Sequence, residues 1–348
     1  MKITKPIFVQ SDKMLCNKLS KQLSGRRFVL LTDELVSAHC FPHLADFLAD
    51  FSPLDIIEVE PGEASKAPEV VMQLWSHLID LGFTKSDVLV CVGGGSITDL
   101  GGFVAATYKR GVPTIFIPTT LLAMTDAAIG GKNGVDLEDI KNAIGTIVQP
   151  EAVLVFPPFC GSLSMQQVKS GAAEVLKHAI IQGGDFWNCM EVIDNLTACT
   201  SMDILKLSTS LKMKIVANDE RETGLRKILN FGHTIGHAVE SAAMNAGRPI
   251  EHGIAVAFGM HVETVCAFSI GMLNQHDYLK IVKRIATLFG GDFSNMPKWS
   301  EAERFIVHDK KSGSQGIAMY LPVKLGDFRP AVISRLDQLE EAYNRCLG

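Results

Sequence analysis

No Cys-x-x-Cys pair occurs among the eight cysteines, which are scattered along the chain. That spacing excludes a zinc knuckle and a disulfide framework, and it predicts reduced thiols of the kind kept in the cytoplasm. No 18-residue apolar stretch lacks charge, so no transmembrane helix is expected. The opening residues, MKITKPIFVQSDK, hold no long apolar run and are not expected to act as a secretory signal. Positive charge is not in excess either: 33 Lys and Arg against 38 Asp and Glu leave a net charge of −5. Broad nucleic-acid affinity needs surplus cations and is not expected, whereas a local basic pocket for one small phosphate fits that balance. Internal repeats and low-complexity tracts are also missing. What remains is an ordinary globular composition, 47% hydrophobic and 20% charged over 348 residues, enough for two domains around sizeable cores.

Residues 27–33 (RFVLLTD), 55–60 (DIIEVE), 87–95 (DVLVCVGGG) and 112–120 (VPTIFIPTT) read as strands. Residues 68–81 carry helical apolar spacing, with Pro68 near the start. Ser96 is placed to cap the next helix, whose apolar face would use Leu100, Phe103 and Val104. Such β–α alternation predicts a parallel sheet flanked by helices. From Met165 to Leu273 helical periodicity takes over, after a last strand in 150–158 (PEAVLVFPP). The expected architecture is an α/β domain over 1–158 with a Rossmann-like parallel sheet, and a mainly α-helical domain over 159–348. A ligand site is expected in a cleft between the two.

Two motif groups point to chemistry. Gly93-Gly94-Gly95 follows a strand and opens a helix, where bare backbone can approach a pyrophosphate and the helix N-terminus supplies donors. It is not the G-x-G-x-x-G fingerprint, and a plain tight turn explains it as well. Asp99, one turn on, either complements the helix dipole or faces a nucleotide. His233 and His237 lie four apart on one helical face, and by spacing both qualify as metal ligands. Gly232 and Gly236 beside them permit close backbone approach, and His252 adds a third imidazole. One carboxylate with two imidazoles, leaving a position open, is a common catalytic zinc set, and Glu174 is the candidate acid. Glu174 and Lys177, however, also have the spacing of an ordinary solvated ion pair. Basic residues recur beside small ones, at Lys109-Arg110, Lys132, Lys141, Lys212, Arg226 and Lys310-Lys311, a set suited to an anionic substrate.

The segments GGGSITDLGGFVAATYKRGVP, IPTTLLAMTDAAIGGKNGV, KNAIG, SGAAEVLKHAII, LKMKIVANDE, GLRKILNFGHTIGHAVE and HDKK, in this order, resemble the 3-dehydroquinate synthases over roughly residues 26–320. The glycine turn with Asp99 is shared with iron-type alcohol and glycerol dehydrogenases, while GGK, KNAIG and NFGHTIGH are not typical of them. The resemblance implies a cytoplasmic, homodimeric lyase of the shikimate pathway (aromatic amino acid biosynthesis). It would convert 3-deoxy-D-arabino-heptulosonate 7-phosphate to 3-dehydroquinate and phosphate, with catalytic NAD and a divalent metal, zinc or cobalt. Oxidation at C5, phosphate elimination, re-reduction, ring opening and aldol closure would follow in turn. Neither nucleic acid nor membrane is an implied partner.

The same resemblance implies roles by position. Glu174, His233 and His252 would bind the metal, and His237 would instead lie by the substrate phosphate. Asp33, Glu63, Lys66, Gly94, Gly95, Asp99, Thr119 and Thr120 would contact NAD, with Lys132 and Lys141 beside it. Lys132, Asn142, Asn230, His237 and Lys310 would hold the phosphate, and Arg110 would reach it from a second subunit. Lys212 and Arg226 would pair with the substrate carboxylate, and Asp126 and Lys177 would hydrogen-bond ring hydroxyls. Two departures stand out. Relatives often read HGEAVA where this chain has HGIAVA, with Ile254 in place of the acid, and Glu251 is the nearby acid placed to partner His252 instead. The glycine turn continues SITD rather than VIGD or VVGD. The alternatives are a cyclase of sedoheptulose 7-phosphate, which the presence of both Lys212 and Arg226 argues against, a metal-dependent alcohol or glycerol dehydrogenase, and a non-catalytic nucleotide-binding relative.

Overall fold

The computed structural model describes residues 3–138, 140–308 and 316–347. The chain forms two compact units, Met1–Val168 with Thr200–Ala217, and Lys169–Cys199 with Asn218–Gly348. It passes between them three times, so compact units and continuous stretches of sequence do not coincide. Nearly all of the helix Met202–Asn218 belongs to the first unit, although helical segments of the second unit flank it in sequence. Periodicity marks a helix but does not say what the helix packs on.

The first unit is built on strands β1 (Ile7–Phe8), β2 (Phe28–Asp33), β3 (Ile56–Val59), β4 (Val88–Gly93) and β5 (Thr114–Pro118). A hairpin of β6 (Lys132–Leu137) and β7 (Ile140–Ile147) comes next, followed by β8 (Ala152–Val155). Six of these form one sheet in the order β1-β8-β5-β4-β2-β3, and every pairing in it is parallel. β2, β4, β5 and β8 are buried at every residue. A strand covered on both faces has no polar side, hence the near-continuous apolar runs in the sequence. From β2 the chain steps outward to β3, then returns to β4 on the other side of β2. Ligands of open parallel sheets bind outside the carboxyl ends of strands at such a reversal. Asp33 ends β2 and Gly93 ends β4, so both lie at this point.

The helix after β4 covers Gly95–Thr107, and Leu100, Phe103 and Val104 are buried as expected. Its cap is Gly94, not Ser96. Gly94 takes the extended conformation that precedes a helix, so the helix starts early and Ser96 lies inside it, donating to Glu63 at 3.2 Å. The hairpin β6–β7 has no counterpart in the sequence reading. Its residues show no clean alternation of apolar and polar side chains, and β7 is almost wholly exposed. It is held from below, because Asn133 of β6 fits where a Cβ on Gly102 would otherwise be, 2.1 Å from Asn133 Oδ1.

The second unit is mainly helical, with a β9–β10 hairpin (Ile317–Lys324 and Asp327–Ile333) before the last helix, Leu336–Leu347. Helix His252–Ser269 is its axis. Residues Ala255–Met260 and Val262–Ala267 of that helix are buried, the pattern of a helix surrounded by others. All eight cysteines are unpaired thiols, and only Cys189 is exposed. Burial pushes the Cys91, Cys160 and Cys199 thiols up to about 12, which keeps them protonated and unreactive. Among the described residues no helix is long and apolar enough to cross a membrane.

Candidate metal and nucleotide sites

Glycine brings the two histidine-bearing helices of the second unit together. A Cβ on Gly259 would lie 1.9 Å from the Gly232 carbonyl oxygen, and one on Gly236 would lie 3.1 Å from that of Ala255. Helix His233–Asn245 therefore meets helix His252–Ser269 backbone to backbone. The contact sets His233 and His252 beside each other, with ring centroids 5.6 Å apart. Glu174, on helix Met165–Gln182, completes the group: its Oε1 lies 3.4 Å from His233 Nε2 and 4.0 Å from His252 Nε2. Tetrahedral zinc with bonds near 2 Å spaces its donors about 3.3 Å apart, and the two separations measured from Oε1 are close to that. Glu174 is 1% exposed, and its Oε1 accepts no hydrogen bond among the described residues. A buried carboxylate oxygen without a donor, facing two imidazole nitrogens, is suited to a cation. The expected solvated ion pair of Glu174 and Lys177 is in fact buried, with Lys177 against Oε2 and the imidazoles against Oε1. Helical spacing cannot distinguish an inward from an outward pair.

His237, the other candidate by spacing, is exposed, and a second grouping of donor atoms links it to Glu240 and His252. The acid that partners His252 is Glu240, whose Oε2 is 3.1 Å from Nδ1, and not Glu251. Glu251 is the exposed cap residue of the His252 helix, while Glu240 approaches from the neighbouring helix. A second buried acid, Glu263, accepts the Gly232 amide at 2.9 Å. Sequence reasoning singles out neither Glu240 nor Glu263. The only available signal, Glu240 following His237 by three, indicates a shared face but not a partner twelve residues on, beyond a helix end.

In the first unit, Lys66 is 2% exposed and sits among acids. Its ammonium lies 3.1 Å from Asp99, 3.5 Å from Glu63 and 3.7 Å from Asp136, and it donates to Asn142 of β7. Residues expected at the nucleotide and at the phosphate are thus joined through one ammonium. Thr119 and Thr120 follow β5 next to the glycine turn: the Thr119 amide donates to the Gly93 carbonyl, and a Cβ on Gly94 would come within 3.1 Å of Thr120. The bare turn at the strand reversal fits a dinucleotide phosphate. Asp33 caps the helix after β2, accepting from the Val36 amide at 2.9 Å. Lys132 opens β6, and Lys141 lies on β7.

Burial raises the Asp99 carboxyl from 3.8 to about 6, against the opposing pull of Lys66. An acid whose pKa is higher in the fold keeps a proton that the unfolded chain loses. Its ionisation therefore lowers stability as pH rises from about 4 to about 6, and the full cost persists above that. Asp99→Asn has no such group. Between about pH 4 and pH 7, urea unfolding should show wild type losing up to about 3 kcal/mol relative to the variant. A constant difference would mean that the carboxylate is solvated.

Asp126 and Lys212 form an ion pair of 2.7 Å, and Lys212 also donates to the Asp126 carbonyl. Both belong to the first unit; Arg226 and Asn230 belong to the second. Arg226 is 2% exposed and donates to the Glu220 carbonyl at 2.7 Å; Asn230 donates to Glu222. Arg110 is exposed, with φ +65°. Lys310 and Lys311 lie outside the described residues.

Among solved structures the chain resembles 2-epi-5-epi-valiolone synthase from Streptomyces hygroscopicus with NAD+ and Zn2+ bound. The TM-score is 0.86 at 24% identity, covering 99% of this chain and 98% of that one. It also resembles 2-deoxy-scyllo-inosose synthase complexed with carbaglucose-6-phosphate, NAD+ and Co2+, at TM-score 0.84 and 23% identity over 97% and 96% of the two chains. The chain shares the fold of these two synthases. In sequence, 3-dehydroquinate synthase of Geotalea uraniireducens is 35% identical over 346 residues, 96% of this chain and 94% of the relative. Residues 56–170 match the family described as 3-dehydroquinate synthase N-terminal, and residues 171–312 match 3-dehydroquinate synthase C-terminal. On these matches the chain belongs to the 3-dehydroquinate synthase family.

Proposed function

We propose that the chain is a phosphate-eliminating cyclase that converts 3-deoxy-D-arabino-heptulosonate 7-phosphate to 3-dehydroquinate, working as a cytoplasmic homodimer with NAD and zinc. The observation that carries this reading is the convergence of Glu174, His233 and His252 in a chain of this family. A bound metal would acidify a substrate hydroxyl, while NAD would take and return a hydride within one turnover. The rest is positioning and charge neutralisation by the chain itself. The first domain would hold the nucleotide at Asp33, Glu63, Lys66, Gly94, Gly95, Asp99, Thr119 and Thr120, with Lys132 and Lys141 beside it. Lys177, already against Glu174, would orient that carboxylate and, with Asp126, hydrogen-bond the ring hydroxyls. Lys212 and Arg226 would meet the substrate carboxylate, two buried cations for one anion. Lys132, Asn142, Asn230, His237 and Lys310 would hold the phosphate, with Arg110 contributed by the second subunit. The departing phosphate could itself take the C6 proton, so these residues need only fix its orientation.

The test is direct. Zinc-loaded protein with NAD+ should release phosphate and form dehydroquinate from the heptulosonate phosphate without net NADH. Net NADH would favour a dehydrogenase. Turnover of sedoheptulose 7-phosphate alone would favour a cyclase whose substrate lacks a carboxylate.

A further inference from the structure

His252 belongs to two overlapping groups of potential metal donors, Glu174–His233–His252 and His237–Glu240–His252, each with donor atoms within 4.8 Å of one another. Its imidazole faces them with opposite edges. Nε2 points to Glu174, 4.0 Å away, and Nδ1 to Glu240, 3.1 Å away. We propose that Glu240 is a positioning residue that commits His252 to the first group, by accepting a proton held on Nδ1 and so keeping the Nε2 lone pair for the metal. The proposal rests on the metal reading above and extends it to the choice between the two groups.

An ionised carboxylate can only accept, so a hydrogen bond from His252 Nδ1 fixes the tautomer of the ring. His233 follows the same rule by a different route. Its Nδ1 lies 3.3 Å from the Phe231 carbonyl, which also can only accept, and its Nε2 faces Glu174. Both rings therefore carry hydrogen on Nδ1 and turn Nε2 towards the same carboxylate oxygen. Glu240 is well placed to hold the ring: it is 8% exposed, sits on the helix that carries His233, and reaches the neighbouring helix. The contact ties the two ligand helices together at the level of the ligands. Ile254 and the exposed Glu251 leave no other acid of the His252 helix's first turn to share this role. Without Glu240's charge, Nδ1 would no longer be reserved as a donor, and the ring could rotate or change tautomer towards the His237 side.

The experiment compares Co2+ binding to metal-free protein, by chelator competition and by the visible d–d spectrum, for wild type, Glu240→Gln, Glu240→Asp and Glu251→Gln. Gln keeps the shape of Glu but can donate as well as accept, so it no longer selects the tautomer. Expected are one site in wild type, about 10- to 100-fold weaker binding with an altered d–d spectrum in Glu240→Gln, intermediate binding in Glu240→Asp, and no change in Glu251→Gln. The thermal midpoint of metal-free Glu240→Gln should match wild type, which separates positioning from general loss of fold. If Glu240→Gln does not fold, Glu240→Asp carries the comparison. Wild-type affinity and spectrum in the Glu240 variants, or an equal loss in Glu251→Gln, would overturn the proposal and leave the metal reading intact. Failure of wild type to bind Co2+ at all would overturn both.

Discussion

His233→Ala protein should bind zinc poorly and turn over substrate at least about 10^3-fold more slowly than wild type. A metal acting as a Lewis acid contributes several kcal/mol of charge stabilisation, and each 1.4 kcal/mol is a factor of ten in rate. Removing one of three protein donors also leaves Glu174, 1% exposed, with His252 as the one remaining imidazole of that donor group and Lys177 against its other oxygen. A buried carboxylate that has lost a cation's company is costly, so the ammonium of Lys177, already against it, should be held there more firmly and be less free to meet a substrate hydroxyl. His237→Ala tests the other imidazole on the same helical face. It should keep its zinc, because His237 is exposed and is not part of the group around Glu174. Zinc content after dialysis, with kcat measured on the folded variants, gives the answer. Full metal content in His233→Ala with loss in His237→Ala would transfer the site to the His237–Glu240–His252 group.

The parts of the fold that are legible in sequence are those set by local pattern. β2, β4 and β5 announce themselves as apolar runs because both faces of the sheet are covered. The helix Pro68–Asp80 shows its proline start and its apolar spacing. What escapes depends on partners distant in the chain. β6 and β7 face water along one edge and lean on Gly102 through Asn133, a contact that leaves no periodic trace. Ser96 has a side chain of the right type for a cap, yet glycine at 94 can start the helix without one. The site shows the same division. Glu174, His233 and His252 are distinguished by family resemblance, because the spacing of His233 and His237 alone treats the two alike. Glu240 escapes because its partner lies on another helix, and Glu251, the acid next to His252 in sequence, is the wrong partner because its side chain is exposed to solvent.

Gly259→Ala should be among the most damaging single-methyl additions in the protein. The new Cβ would stand 1.9 Å from the Gly232 carbonyl oxygen and 2.9 Å from both the Gly232 carbonyl carbon and the Gly236 amide nitrogen. All three are backbone atoms, so no side chain can rotate away, and the two helices must separate. Overpacking of this kind costs about 1–3 kcal/mol, and a contact made only of backbone belongs at the upper end. The loss extends to the site. Gly232 immediately precedes His233, and its amide is held by Glu263, so moving this junction shifts His233 Nε2 from its 3.4 Å approach to Glu174. Metal bonds tolerate only about 0.2 Å of error, and a displacement of the helix exceeds that. Folded Gly259→Ala should therefore show both a urea midpoint lowered by the equivalent of about 3 kcal/mol and Co2+ affinity weaker by at least about tenfold. Gly161→Ala, whose Cβ would meet nothing within 4 Å, serves as the control and should change neither. A Gly259→Ala protein that unfolds like wild type and binds Co2+ as tightly would show that the helices can part at this point without disturbing the ligands, and would remove glycine packing as the reason His233 and His252 meet.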